Sequence, residues 1–141
     1  DREIGFRAGL RANFPKIVLS GEARGEDSLE LTKQAVLRLI GDHPALTAIY
    51  NVGGGNAGLA VALREANRTD DLLVIGHEVN SVTTALLRDG SMDYAIATNP
   101  VLMLDEALKL ADGDLSDAHR DTVQLDFGLY TKFNLPSFAQ I

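Results

Sequence analysis

Strand-like apolar runs alternate with helix-like stretches along nearly the whole chain, and no other feature restricts the fold as much. Helical spacing opens the chain at residues 4–14, where Phe6 and Leu10 stand one turn apart and Pro15 stops the run. Residues 16–20 predict a strand. Asp27 or Ser28 is placed to cap a second helix, in which Leu31, Ala35 and Leu39 recur at four-residue steps until Gly41-Asp42-His43-Pro44 ends it. A second strand is expected at 46–52, and residues 53–56 open a third helix carrying Leu59, Leu63 and Ala66. The run 72–75 is wholly apolar, as strands buried in parallel sheets are. Asn80 or Ser81 caps the next helix, which closes at Asp89-Gly90. Residues 94–97 predict another strand, and Asn99-Pro100 supply a cap followed by proline at the first helical position. Leu104, Ala107, Leu108 and Ala111 form one stripe. Residues 122–133 are β-rich and lead into Asn134-Leu135-Pro136, which predicts strands packed outside the main series.

Parallel neighbours need crossover connections, and helices then cover both faces, so the pattern predicts an α/β fold with a doubly wound parallel sheet and a β-rich tail. In such sheets ligands sit beyond the carboxyl ends of the strands. Function is therefore sought in residues 21–27, 53–56, 77–80 and 98–99.

Charge and composition narrow the function classes. The 13 basic and 20 acidic side chains leave a net charge of −7, and the basic ones are scattered, so the segment offers nucleic acid no phosphate-binding patch. The absence of cysteine excludes disulfides and thiolate metal sites. No apolar run approaches the roughly 20 residues of a membrane span, and Asp1-Arg2-Glu3 lacks signal-peptide character. A soluble chain without membrane insertion is expected.

Gly53-Gly54-Gly55-Asn56-Ala57-Gly58 satisfies GxGxxG between a predicted strand and helix, and Glu78 ends the next strand where a dinucleotide fold places its ribose acid. Gly53, Gly55 and Gly58 would then cradle a pyrophosphate at the helix N-terminus. Against this, a nicotinamide fold usually begins with this unit, whereas here a helix, a strand and another helix precede it. Strand alternation turns His77 and Glu78 to opposite sides of the sheet, so they do not form a catalytic pair. His43 and His119 fall in loop-like sequence, no histidine pair shows metal-ligand spacing, and no serine sits in a GxSxG turn. What remains at the crevice is amides, a hydroxyl, a carboxylate and arginines, a set suited to hydroxyl-rich ligands and lacking a nucleophile with its base. A non-catalytic binding domain with no cofactor and no metal is expected.

The opening Arg2-Glu3-Ile4-Gly5-Phe6-Arg7-Ala8-Gly9-Leu10 resembles the segment that starts the C-terminal lobe helix in LacI-type effector domains and type I periplasmic sugar-binding proteins. Thr47-Ala48-Ile49-Tyr50-Asn51 resembles the strand before that family's Asn-Asp turn. Val74-Ile75-Gly76-His77-Glu78 resembles its VxGxD segment, Ile96-Ala97-Thr98-Asn99-Pro100 its hinge, and Asn134-Leu135-Pro136 the tails of its sugar-type regulators. The resemblance implies ligand contacts from Arg2, from Asn51 or Asn56, from Glu78 in place of an aspartate, and from Thr98. It also implies an aromatic ring near Asp27, where this sequence has Glu26-Asp27 instead.

By the same resemblance, residues 1–98 are a C-terminal effector-binding lobe lacking its first strand, and residues 99–141 are a hinge crossover, a helix and strands belonging to the other lobe and the tail. The implied function is sensing of a sugar or polyol by a cytoplasmic LacI-type regulator, the alternative being a periplasmic sugar-binding protein of an ABC transporter. A homodimer is expected, with DNA reached only through a headpiece outside this chain. A sheet without an inner strand leaves peptide groups unpaired, each costing about 1–3 kcal/mol if buried. The chain is thus expected to be a fragment whose gap is filled by its own tail or by a second copy, giving a dimer or a rearranged sheet.

Overall fold

A computed structural model describes residues 2–112 and 124–140. His119 and the first residues of the expected β-rich stretch lie outside the described residues. The helices are α1 (Arg2–Asn13), α2 (Leu29–Asp42), α3 (Asn56–Glu65), α4 (Ser81–Asp89) and α5 (Pro100–Asp112), and the strands are β1 (Ala48–Tyr50), β2 (Leu73–His77), β3 (Tyr94–Thr98) and β4 (Phe127–Tyr130). A 3-10 turn, Ser137–Gln140, follows.

The sheet runs β1-β2-β3-β4, with the first three strands parallel and β4 antiparallel to β3. The predicted α/β fold with its parallel sheet is therefore what the chain adopts, but the tail strand β4, expected outside the main series, joins the same sheet by pairing with β3. Gly76 faces Asn56 of α3 and Met92, so the Val74-Gly76 side of β2 meets the helical layer in which α2 packs on α3. Leu59, Leu63, Val74, Leu87 and Met92 are almost fully buried there. Each large aliphatic side chain so buried contributes about 1.5–3 kcal/mol. On the other face Phe6 of α1 lies over Tyr50, which is paired across the ladder with Ile75. Leu73, at the far end of that face, is left largely exposed, against the expectation of a run buried throughout.

Three further expectations are corrected. Residues 16–20 do not form a strand: Ile17, Val18 and Leu19 are exposed, Val18 at 79 %. A strand exists only as part of a ladder, and among the described residues β1 has a partner on one side alone, so nothing holds this segment in a sheet. The tail does not fill that place either, because β4 pairs with β3 at the opposite edge. In α2 the four-residue period is correct but the buried face is Thr32, Val36 and Ile40, one position on from the predicted stripe, and Leu31 is exposed.

The caps set the loops that matter. Ser28 caps α2, accepting from the Leu31 N–H at 3.4 Å. Asn80 caps α4, accepting from the Thr83 N–H at 3.0 Å, while the Thr83 hydroxyl accepts from the Asn80 N–H at 2.9 Å. Asn99 caps α5 by accepting from the Val101 N–H at 3.0 Å, with Pro100 as the first helical residue. After β4, Asn134 closes the turn by accepting from the Thr131 N–H at 2.6 Å and donating to the Leu129 carbonyl at 3.0 Å, and Leu135 returns to the core.

Candidate ligand-binding crevice

The loops that leave the carboxyl ends of β1, β2 and β3 form one rim, joined by the start of α1 and the loop before α2. Arg2 donates to the Val52 carbonyl at 3.1 Å and lies 3.9 Å from the Glu78 carboxylate. Both side chains remain open to solvent, Glu78 at 65 %, so this loose ion pair contributes little stability and leaves both groups available to a ligand.

Backbone strain collects here. Of the four non-glycine residues with positive φ among those described, Glu26 (49°), Asp27 (54°) and Glu78 (70°) lie on this rim, and Asn67 (54°) follows α3. Such conformations cost about 1–3 kcal/mol each and persist where surrounding contacts hold them. For Glu78 the holding contact is its own N–H, which bonds the Ile96 carbonyl at 2.8 Å. For Asp27 it is the carboxylate, which accepts from the Gly54 N–H at 2.6 Å.

The glycine turn is organised from within. Asn51 donates to the Gly53 carbonyl at 3.1 Å and to the Asn56 side-chain oxygen at 2.7 Å. Asn56, only 4 % exposed, donates in turn to the His77 carbonyl at 3.3 Å. Asn51 thus stands in the wall of the crevice and Asn56 behind it. Thr98, half-buried, directs its hydroxyl toward the Met103 sulfur at 3.4 Å.

The same turn argues against the dinucleotide reading. The Gly54 amide that a phosphate would use is occupied by a carboxylate, which would repel an anion. Gly55 and Gly58 serve packing: a Cβ on Gly58 would run into the Leu29 carbonyl and Thr32, and one on Gly55 into Thr32. These glycines let α2 approach α3.

On the other side of β2, the Tyr50 hydroxyl and His77 Nε2 are 2.6 Å apart. Burial pushes the Tyr50 phenol up, and burial followed by the Arg2 charge pushes the His77 imidazole down. The strand alternation that the sequence predicts does not extend to Glu78, because β2 ends at His77 and Glu78 takes a left-handed backbone with φ of 70°. The Tyr50–His77 and Asp27–Gly54 pairs were not legible, because each joins residues 27 positions apart, the first through the sheet register and the second through the packing of α2 on α3. Among the described residues no three His, Cys, Asp or Glu side chains converge as metal ligands would. No helix among them is long and apolar enough to cross a membrane.

Comparison with known proteins places this geometry. The model of the periplasmic binding protein domain matches residues 1–116. Among solved structures, a glucose-galactose binding protein from Geobacillus stearothermophilus superposes with a TM-score of 0.82 at 19 % identity, over 96 % of this chain and 49 % of its own. An ABC transporter solute binding protein from Agrobacterium vitis with bound D-fucose gives 0.80 at 19 % identity, over 99 % and 49 %. An arabinose binding protein from Geobacillus stearothermophilus gives 0.75 at 19 % identity, over 94 % and 49 %. The chain therefore spans about half the length of each of these structures. No curated protein sequence matches it. At such identities the superpositions establish the fold alone, while the family match covers most of the chain: this protein belongs to the periplasmic binding protein domain family.

Proposed function

We propose that the chain is one lobe of a protein that binds a sugar or polyol without transforming it. The observation that carries this reading is the rim pair Arg2 and Glu78, an exposed guanidinium and carboxylate 3.9 Å apart, Arg2 at the start of α1 and Glu78 on a strained turn at the carboxyl end of β2. Together they offer donors and acceptors to vicinal hydroxyls. Asn51 and Thr98 extend the polar wall, and Asn56 keeps Asn51 in place.

The transport form of this function, a sugar-binding component of an ABC transporter acting outside the cytoplasm, has the better support. Solved proteins of the same fold include sugar-binding and ABC transporter solute-binding proteins. The LacI-type regulator expected first from the sequence now rests on the resemblance of the tail alone. That form would bring with it a cytoplasmic homodimer and a DNA-binding headpiece encoded elsewhere.

Residues 1–98 are proposed as the effector lobe and residues 99–141 as its link to a second lobe. The support is α5, which buries none of its residues and exposes Leu104 at 62 % along with Val101, Leu102 and Leu108. β4 and Leu135, from the same stretch, join the sheet and core of the first lobe.

The test is calorimetric titration of the whole natural protein with monosaccharides, polyols and NAD. Saturable binding of a monosaccharide or polyol supports the proposal, and saturable NAD binding without any sugar response would overturn it.

A further inference from the structure

The first helix is held to the molecule by few groups. α1 buries none of its residues, and nothing lies within 4 Å of where a side chain on Gly5 or Gly9 would be. Among the described residues its attachments are Arg2 on the Val52 carbonyl and 3.9 Å from the Glu78 carboxylate, Arg7 on the Glu22 carboxylate at 3.0 Å, and the Phe6 ring, whose centroid is 4.3 Å from that of Tyr50. The arginine contacts are exposed, so the aromatic contact is the apolar seat of the helix.

That seat is fixed from behind. The Tyr50 hydroxyl lies 2.6 Å from Nε2 of His77, a residue only 6 % exposed, and the two rings are 5.4 Å apart. A neutral phenol donates most simply to an unprotonated ring nitrogen, which puts the imidazole proton on Nδ1. His77 also holds the crevice through its backbone, since its carbonyl accepts from Asn56 and the next residue is Glu78.

We infer that His77 is a positioning residue for the crevice, and that its protonation unlatches α1 and withdraws Arg2 from the rim. The inference rests on the crevice being the ligand site. The groups that face His77 are Arg2 from α1, Tyr50 from β1 and Glu78, the residue just beyond β2; β3 meets it with Ile96 and α3 with Asn56, both uncharged. A proton on Nε2 reverses the Tyr50 bond, the imidazolium then donating to the phenol oxygen, and creates a second cation beside Arg2 in a poorly hydrated place. Glu78 attracts that cation, yet burial and Arg2 together outweigh it and keep the imidazole below its ordinary 6.5. When acid forces the proton on, Arg2, half exposed and on a helix with no buried side chain, is the group free to move away.

The experiment follows backbone hydrogen exchange in α1 at about pH 7.5 and about pH 5, corrected for intrinsic exchange, in the whole wild-type protein and in the His77→Gln and Tyr50→Phe variants. Wild-type α1 is expected to lose about tenfold in protection at the lower pH, His77→Gln to show no such pH dependence, and Tyr50→Phe to be weakly protected at both. The same pH dependence in His77→Gln overturns the inference. So does a wild-type imidazole that titrates at or above 6.5 by nuclear magnetic resonance or carries its proton on Nε2. This resonance measurement needs no variant to fold.

D-glucose and D-fucose are titrated in parallel at both pH values. Affinity that falls about tenfold with α1 protection in the wild type alone supports control of the crevice. Binding that is indifferent to pH while α1 unlatches overturns that control. If neither sugar binds and α1 still unlatches through His77, the ligand reading fails and the latch stands.

Discussion

The Asp27 carboxylate accepts the Gly54 amide proton at 2.6 Å and so ties the loop before α2 to the glycine turn before α3. It is a charged acceptor on an amide of that turn that an anionic ligand would otherwise use. Asp27→Ala is expected to lose about 1 kcal/mol, below the 1.5–3 kcal/mol typical of bonds to charged groups because the site is exposed. Asp27→Asn keeps an acceptor and tolerance of positive φ and is expected to stay within about 0.5 kcal/mol of wild type. Urea denaturation of the pair checks both.

Gly58 and Gly9 are expected to answer oppositely to alanine. At Gly58 the new methyl meets the Leu29 carbonyl and Thr32, so the variant is expected to lose about 1–3 kcal/mol despite its better helix propensity. At Gly9 nothing is within 4 Å, and alanine is expected to gain about 0.5–1 kcal/mol of helix stability. Thermal melts and amide exchange in α1 compare them.

Stability is expected to fall as the medium is acidified through the range just below pH 6.5, owing to His77. The folded imidazole has its pKa lowered, first by burial and then by Arg2, so in this range the unfolded chain takes up the proton and the folded chain does not. The contribution is complete above 6.5 and is lost on descending toward the folded value. Denaturation midpoints between about pH 7.5 and about pH 5 measure it, and His77→Gln is expected to flatten that part of the profile.

If Arg2 and Glu78 contact the ligand, Arg2→Ala and Glu78→Ala are each expected to weaken monosaccharide binding tenfold or more, about 1.4 kcal/mol, with folding stability nearly unchanged. The small effect on folding follows from the exposure of both groups. Thr98→Val is expected to cost less, because one hydroxyl is removed and no charge. Calorimetry alongside thermal melts separates binding from folding.

Leu104→Ser and Leu108→Ser are expected to change the stability of the 141-residue chain by less than about 0.5 kcal/mol, since α5 buries none of its side chains. In a longer natural protein, where α5 is proposed to meet a second lobe, the same changes are expected to cost about 2 kcal/mol or more each. Paired denaturation of the two forms decides whether α5 is an interface.

The alternation of elements, the caps at Ser28, Asn80 and Asn99, and the loops that form the rim follow from the sequence by itself. Each depends on contacts between residues a few positions apart, and local spacing records those. Tertiary structure alone decided that residues 16–20 have no ladder to join, that Thr32 rather than Leu31 faces the core, and that β4 takes the edge beside β3. It likewise decided that Asp27 leaves the capping of α2 to Ser28 and reaches Gly54, and that Tyr50 finds His77. The reason is common to all of these. A ladder partner, a buried face and a contact across strands are set by which segments lie side by side, and hydrophobic period or turn chemistry within one segment carries no record of its neighbour.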